Sequence, residues 1–477
     1  MTSFDIAALQ KSIDQDTANW LNDLKTFLRF ETVSAKTDTH PAMNACISWL
    51  ENFLKEIGFT VEIWPTSGYP VLYASYEIAE RMQPTLLIYN HYDVQPAEPL
   101  EQWDSNPFEA VIKGDHLYAR GAQDNKGQCF YVLYALKLLF KEYGSLPMNI
   151  KLCIEGEEEI GSPGLAGLLE EKKESLKADY LAVVDLGIKA PHCPAITLGI
   201  RGIVTFDLAV TTARFDAHSG SHGGVLLNSL DVIVKLLASL KDKEGKITIP
   251  GFYDGVEEMS PDEKETLHFD FDLEQYQKEM GGKAVGGEKS YSALERGWIR
   301  PTVEINGISG GYTEEGFKTI IPAKAIAKLS CRLVPGQNPD RIKHLMKIFF
   351  EKKAPLGAKV ELVCHPGEGQ ALRVSASSPL VNAFAKAYEK VFDAPCKFIL
   401  EGGSIPIASR LKQVSQAEVV LMGLGLSSDQ IHAPNEHFGI DRFKKGVLIM
   451  AYAITELSLP TTTAAHLIGE GKIDFTS

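Results

Sequence analysis

The stretch Thr85-Leu-Leu-Ile-Tyr-Asn-His-Tyr-Asp93 decides how this chain is read. Its first five residues, Thr85-Leu-Leu-Ile-Tyr89, have the short apolar character of a strand. They run without a break into the polar segment Asn90-His91-Tyr92-Asp93. The same change recurs along the chain. Asn149-Ile-Lys-Leu-Cys-Ile154 leads into Glu155-Gly156-Glu157-Glu158-Glu159, and Tyr180-Leu-Ala-Val-Val184 leads into Asp185. Glu418-Val-Val-Leu-Met422 leads into Gly423-Leu-Gly425 and then His432. Helical patterns over 127–143 and 165–176 separate the first three strands. Two more helices are predicted ahead of them, over 6–30 and 45–57, the second ending at Gly58. In the first, Leu9, Ile13, Trp20, Leu21, Leu24 and Leu28 recur at helical spacing. Strands alternating with helices predict an α/β layer built on a largely parallel sheet.

The pattern changes near Ile196. Residues 203–212 alternate as a half-buried strand does, and 228–240 read as a helix. Residues 250–298 are polar and charged with no strong period, which predicts surface helices and loops. Strands follow over 303–306 and 325–333, a helix over 340–350, and a strand over 359–364. Helix, strand and helix return from Ser378 onward. The expected organisation is a catalytic domain in two parts, 1–196 and 368–477, with a second domain inserted over 197–367.

The chain has 477 residues, 44% hydrophobic and 23% charged, which suits a folded protein and not a solvated disordered one. Its formal charge is −14, from 48 basic and 62 acidic side chains. Nucleic-acid binding needs a clustered basic surface, so an acidic chain argues against it. No apolar run approaches the roughly 18 residues of a membrane span. The N-terminal residues show no basic region followed by an apolar stretch, so no signal peptide is expected. The seven cysteines are scattered, with no Cys-x-x-Cys, which predicts reduced thiols and no thiolate zinc site. Cys153 and Cys364, in apolar runs, are expected in the core. A cytoplasmic protein is the economical expectation.

In parallel α/β sheets, ligands bind beyond the carboxyl ends of the strands. The acids and imidazoles that follow these strands therefore have a common meeting place. A fifth polar segment, Arg120-Gly-Ala-Gln-Asp124-Asn-Lys126-Gly127, turns into a helix. It is not a phosphate loop, because the spacing is wrong and no Ser or Thr follows the Lys. Two His and several carboxylates without Cys suit zinc, manganese or cobalt. Five such ligands exceed what one open catalytic zinc takes, but suit two ions about 3.5–4 Å apart that share a carboxylate. Each residue alone is a weak signal, since a single His at a strand end is ordinarily structural. Combination and order carry the weight.

The segments His91-Tyr-Asp93-Val-Gln-Pro96, Arg120-Gly-x-x-Asp124-x-Lys126-Gly127 and Glu155-Gly-x-Glu158-Glu159-x-Gly161-Ser162 resemble those of the co-catalytic zinc peptidases. That family includes carnosinase, cytosolic non-specific dipeptidase, carboxypeptidase G and the acyl-amino-acid deacylases, and the dipeptidase branch is the most similar. Further matching segments are Asp216-x-His218-Ser219-Gly220, Lys318-Thr319-x-Ile321-Pro322 and Arg332-Leu-Val-Pro335. Glu401-Gly-Gly-Ser404-Ile-Pro406 and His432-x-x-Asn435-Glu436 complete the set. The resemblance runs from about residue 20 to the C-terminus.

The resemblance implies an α/β fold: a phosphorylase/hydrolase-like zinc-peptidase catalytic domain with an inserted α+β lid and dimerisation domain. It implies two divalent ions per chain, zinc foremost with manganese the alternative. His91, Asp124 and Asp185 would hold one ion. Asp124, Glu159 and His432 would hold the other, with Asp124 as the bridge. Asp93 would orient the His91 imidazole. Glu158 would be the general base that activates water. The lid would place His218 in the partner's site of a homodimer, where it stabilises the oxyanion. Arg332 would clamp a substrate carboxylate through its bidentate fork. Thr319, Glu401 and Ser404 would complete the substrate contacts, with Glu401 suited to a free α-amino group. The implied reaction is hydrolysis of a dipeptide or other short peptide. The alternative on the same fold is an N-acyl amino-acid deacylase or a carboxypeptidase-like hydrolase. The chain departs from the dipeptidase pattern at Glu157, Ile160, Leu186-Gly187 and Leu400. None of these is an expected metal ligand; Leu400 adjoins the expected substrate contact Glu401.

Overall fold

The computed structural model describes residues 5–78, 83–267 and 271–459. Residues 460–477 of the expected second catalytic part, and 268–270 of the polar stretch, lie outside the described residues. In chain order the strands are β1 (Thr60–Trp64), β2 (Val71–Tyr76), β3 (Thr85–His91), β4 (Val111–Lys113), β5 (His116–Tyr118) and β6 (Asn149–Glu155). Next come β7 (Tyr180–Gly187), β8 (Ala195–Ile200), β9 (Gly202–Thr211), β10 (Ala217–His218), β11 (Thr302–Gly310) and β12 (Ile320–Ile321). The last are β13 (Lys324–Leu333), β14 (Lys359–Cys364), β15 (Leu372–Arg373), β16 (Lys397–Glu401), β17 (Glu418–Gly425) and β18 (His437–Gly439).

The main sheet has the order β1-β2-β6-β3-β7-β17-β8-β15, with β16 beside β8. Its centre is parallel: β3 pairs β6 and β7, and β7 pairs β17. Its flanks are antiparallel at β1–β2, β2–β6, β17–β8 and β8–β15. The expected largely parallel sheet is therefore a mixed one. The connection from β1 to β2 is short, and a short connection can join only antiparallel neighbours, because a parallel pair needs a crossover.

Alternation along β3 sends side chains to opposite faces. Leu86 and Ile88 join one apolar cluster and Leu87 and Tyr89 another. The first cluster takes in the helices His40–Glu56, Lys126–Tyr143 and Ile440–Leu457. The second takes in Leu165, Ile407 and Leu411. Both faces are covered, and β3 is buried along almost its whole length. Helix Lys126–Tyr143 is buried all round its first ten residues, as a helix in the centre of a large protein is. It ends at Gly144, whose φ of 75° is left-handed and open to glycine at no steric cost.

The second sheet is antiparallel, in the order β11-β13-β9-β14. Along β9, Val204, Phe206, Leu208 and Val210 face a separate cluster, with Ile233, Leu236, Met346 and Phe350 from two helices over it. Short contacts join the two sheets near 200: Arg201 N donates to Gly403 O at 3.0 Å, and Ile203 bridges Gly369.

Several expected elements differ. The helix over 6–30 is two, Ile6–Gln15 and Thr17–Arg29. Asp16 stands at the break, where its carboxylate accepts from Tyr134 Oη and Asn19 Nδ2, each at 2.7 Å. The helix over 165–176 is also divided, into Pro163–Leu168 and Lys173–Leu176. Residues 250–298 hold short helices, yet Met259, Leu267 and the following Ile299 are buried, joining the apolar cluster that holds Leu198 and Leu400. Cys364 is exposed, against the expectation of a core thiol, because β14 is an edge strand with only partial cover.

Ile88 is fully buried three residues before the end of β3. Ile88→Ala should lower the unfolding free energy by about 2–5 kcal/mol, from lost transfer energy and the cavity left behind. Chemical denaturation checks this; a loss well below that range would mean β3 does not hold the core.

Candidate metal centre

The parallel strands deliver the site. His91 is the last residue of β3 and pairs in register with Glu155, the last residue of β6. Glu158 and Glu159 lie in the single turn Glu158–Ile160 just beyond β6. Asp185 sits near the end of β7, beside a bulge in its pairing with β17. Asp124 closes the loop ahead of helix Lys126–Tyr143. His432 follows β17 in a turn, with a left-handed φ of 59°. Five segments far apart in sequence thus converge beyond the carboxyl ends of the central strands.

Two donor groups result: His91, Asp124 and Asp185, and then Asp124, Glu159 and His432. Within each, one ligand atom per residue lies within 4.8 Å of the others. Asp124 belongs to both and divides its oxygens. Its Oδ1 lies 3.2 Å from His91 Nε2, and its Oδ2 lies 2.8 Å from His432 Nε2. His91 Nε2 is also 3.6 Å from Asp185 Oδ1, and His432 Nε2 is 3.3 Å from Glu159 Oε2. His91 is completely buried, whereas the His432 side chain is 52% exposed, so the site opens on the His432 side.

Two buried atoms in this cluster have no hydrogen-bond partner, His91 Nε2 and Glu159 Oε1. His91 Nε2 is near carboxylates but lacks hydrogen-bond alignment with them. Buried polar atoms are almost always satisfied, so orphans aimed into a carboxylate cluster fit ligation. Imidazole and carboxylate without thiolate is also the donor chemistry of a hydrolytic divalent ion. The residues present fit such a group.

The electrostatics agree. Burial pushes the His91 imidazole down, but Asp185, Asp124 and Asp93 outweigh it and hold its pKa well above the ordinary value. Hydrogen bonds to Asp124 and Glu159 raise His432 to about 10. Burial raises Glu159 to about 7, with Asp124 adding to the effect. Burial also raises Glu158 well above the usual carboxylate range; His91 opposes this, while Asp185, Glu159 and Asp124 reinforce it. Asp124 goes the other way: burial pushes it up, but its hydrogen bond to His432 and the close His91 imidazole hold it well below the usual range. A cluster this rich in negative charge stabilises any cation inside it.

Asp93 is fully buried and does more than face His91. The His91 Nδ1 lies 3.1 Å from its carbonyl oxygen and 3.2 Å from Oδ1. Its two carboxylate oxygens also accept from the amides of Glu158 and Glu159, each at 3.1 Å. One side chain therefore fixes both an imidazole and the turn that carries two acids. Three orienting residues escaped the sequence reading. Gln95 donates to Glu159 Oε2 at 2.8 Å, leaving Oε1 free. Asn125 donates to Asp185 Oδ1 at 2.6 Å, and Asn90 donates to Asn125 Oδ1 at 2.7 Å. Their signal was position: each lies within a few residues of a ligand, inside the same short segments.

The other expected site residues fall into two further places. Arg332, in β13, donates from Nη1 to Ser404 Oγ at 2.8 Å, joining the second sheet to the loop after β16. Glu401 is exposed, and its Oε1 accepts from the amides of Gly402 and Gly403 at 2.7 and 3.2 Å. His218 and Thr319 lie together at the β10–β12 pair, where Ser219 N donates to Thr319 O at 3.0 Å. Both are exposed, and among the described residues no hydrogen bond or ion pair links them to the metal cluster.

The family model for peptidase family M20/M25/M40 matches residues 87–456. The Cys-Gly metallodipeptidase dug1 of Schizosaccharomyces pombe is 32% identical over 382 residues, covering 78% of this chain and 80% of that one. The human Beta-Ala-His dipeptidase is 32% identical over 384 residues, covering 78% of this chain and 75% of that one. Among solved structures, the dipeptidase Dug1p of Saccharomyces cerevisiae superposes with a TM-score of 0.84 at 26% identity, covering 95% and 98% of the two chains. The metallo-carboxypeptidase Sso-CP2 of Sulfolobus solfataricus superposes at 0.85 with 32% identity, covering 92% and 99%. A family match over most of the chain, joined to relatives 32% identical over more than three quarters of it, leads to one conclusion: this chain belongs to peptidase family M20/M25/M40.

Proposed function

We propose that this protein is a two-ion dipeptidase that binds a short peptide by its termini and hydrolyses the amide between them. The observation that carries the proposal is Asp124 dividing its two oxygens between His91 and His432. One group holds an ion through His91, Asp124 and Asp185, the other through Asp124, Glu159 and His432. Zinc is the first candidate and manganese the second. When bound, such ions supply the Lewis acidity that makes water nucleophilic near neutral pH and polarises the scissile carbonyl.

The chain's own residues do the rest. Glu158 takes the proton from the attacking water as the oxygen–carbon bond forms. It then gives that proton to the amine as the carbon–nitrogen bond breaks. Its burial raises its pKa above the ordinary carboxylate range, the direction a general base needs at neutral pH. Asp93 keeps Glu158 and Glu159 in place through their amides. Arg332, steadied by Ser404, takes the substrate carboxylate, and Glu401 takes the free α-amino group. Thr319 adds a contact from the side of His218.

The division is a catalytic unit from 1–196 and 368–477, with 197–367 as an inserted lid and dimerisation domain. Its separate apolar cluster supports this. A homodimer is supported by β11, an edge strand with Ile305 and Ile308 exposed beside exposed Ile326 of β13. An open edge with apolar side chains invites pairing with another chain. In that dimer the partner's His218 stabilises the oxyanion. Seven unpaired cysteines support a reducing, cytoplasmic setting. No described helix is long and apolar enough to cross a membrane.

The similarity to a metallo-carboxypeptidase keeps one second reading, a carboxypeptidase-like hydrolase or N-acyl amino-acid deacylase. A substrate panel decides. Unblocked dipeptides, starting with Cys-Gly and β-Ala-His, should be cleaved and N-acetyl amino acids should not; the reverse selectivity overturns the dipeptidase reading. Glu158→Gln should lose about 10²–10⁴-fold in kcat while still binding two ions. Near wild-type turnover would remove Glu158 as the base.

His218→Ala should lower turnover, and mixed dimers with an Asp124→Asn chain should regain activity at one site. No regain would contradict a shared site. At pH 7, His432 with a pKa near 10 carries a proton that a metal must displace. Calorimetric zinc titrations in buffers of different ionisation enthalpy should therefore show proton release. Binding without proton release would count against His432 as a ligand.

A further inference from the structure

One buried carboxylate outside the metal cluster collects more hydrogen bonds than any ligand inside it. Glu436 is completely buried. Its Oε2 accepts from Arg120 Nη1 at 2.8 Å and from the Gly121 amide at 2.9 Å. Its Oε1 accepts from the amides of Gln123 and Asp124, each at 3.0 Å. Its backbone oxygen accepts from Ala119 N at 3.1 Å. Every one of these donors lies in the loop that ends at Asp124. The loop therefore has little freedom that Glu436 does not restrain.

Glu436 is also tied to the other side of the cluster by the chain itself. His432 lies four residues upstream, and its Nε2 meets Asp124 Oδ2 at 2.8 Å. The turn between them is held in a fixed shape, with left-handed backbone at His432 and Asn435. Asn435 anchors it outside: its Oδ1 accepts from Asp104 N at 2.9 Å, and its Nδ2 donates to Gln102 O at 3.0 Å. One short segment thus delivers an imidazole with one residue and grips the facing carboxylate's backbone with another.

We infer that Glu436 is a positioning residue for the metal centre, setting the spacing of Asp124 and His432 and so the affinity for the ion they share with Glu159. The inference rests on the two-ion reading above. Its physical basis is that the spacing of ligand atoms must be right to within a fraction of an ångström before a metal is bound. Groups that orient ligands commonly change metal affinity about 10–100-fold when altered.

The charge and both oxygens of Glu436 matter. Its four donors leave no place for an amide NH2. In Glu436→Gln one end of the side chain turns a donor toward two other donors. It also leaves Arg120, itself buried, without its carboxylate partner. Glu436→Asp keeps the charge and both oxygens but withdraws them by one methylene.

A purely structural role and a positioning role predict different measurements. If Glu436 only stabilises the fold, its variants lower Tm equally with and without metal and leave metal affinity alone. If it positions ligands, the rise in Tm on adding zinc shrinks and affinity falls. The experiment uses the full chain, stripped with a chelator and titrated with zinc against a competing fluorescent chelator. Circular dichroism and thermal melts are recorded with and without metal. Wild type should bind two ions. Glu436→Gln should remain folded and bind one of the two about 10–100-fold less tightly. Glu436→Asp should fall between, and excess zinc should restore turnover in both. Variants with wild-type affinities for both ions overturn the inference, whatever their Tm. If Glu436→Gln does not fold, the affinities of Glu436→Asp decide in the same way. A wild-type protein that binds fewer than two ions overturns the two-ion reading and this inference with it.

Discussion

Asp124 stands between two imidazoles, and the rest of the centre depends on keeping it there. Three more acidic groups, Asp185, Glu158 and Glu159, crowd around it where water is largely excluded. Two like charges about 4 Å apart repel by roughly 4 kcal/mol even at an effective dielectric of about 20. No local preference of the chain would assemble such a cluster. It forms because the apolar strands behind it are buried on both faces, and their ends cannot be moved without opening the core. Leu86 and Ile88 pack one way, Leu87 and Tyr89 the other, and His91 is carried to the edge with them. Folding energy from the sheet is what holds the acids together. The raised pKa values of Glu158 and Glu159 record the strain that results.

That strain is relieved by donors placed with some economy. Asp93 accepts from two amides and faces an imidazole, Asn125 holds Asp185, and Gln95 holds Glu159. These contacts fix which oxygen points where. Gln95 takes Oε2 of Glu159 and leaves Oε1 without a partner. An acid held at one oxygen and free at the other can serve as a ligand without losing its orientation. The charge balance shifts as well. Asp124, Glu159 and Asp185 contribute three of the chain's acidic side chains, and two divalent ions would bring four positive charges. The formal −14 therefore overstates the negative charge of a protein carrying both ions.

Four of the candidate donor segments were legible because each follows a short apolar run, and strand ends are where α/β sheets present ligands; the polar turn at Asp124 follows no such run. The runs at 85–89, 149–154, 180–184 and 418–422 all became strands of the parallel centre. What periodicity could not show was pairing direction. The antiparallel flanks depend on which neighbours β2 and β8 find, and that is a tertiary outcome. The polar stretch 250–298 misled for a related reason. It has no amphipathic period, yet Met259, Leu267 and Ile299 are buried because isolated apolar residues meet a surface made by distant segments. Cys364 misled in the opposite sense: its apolar neighbours suggest a core strand, but β14 is an edge. A sequence window reports composition and period; it does not report what lies across from a strand.

The proposed substrate contacts raise a different issue, because they do not sit on one rigid body. Arg332 belongs to the second sheet and Ser404 to the loop after β16, yet their side chains meet at 2.8 Å. The chain crosses between the two sheets within the same region. Arg201 donates through its backbone to Gly403 O and through Nε to Gly402 O, and Ile203 bridges Gly369. The loop Glu401-Gly-Gly-Ser404 is therefore gripped by Arg201 and Arg332 at Gly402, Gly403 and Ser404. Any rotation of the second sheet about this crossing would move Arg332 and that loop together. The pair that would hold a substrate's termini is thus more tightly coupled to itself than to the metal centre.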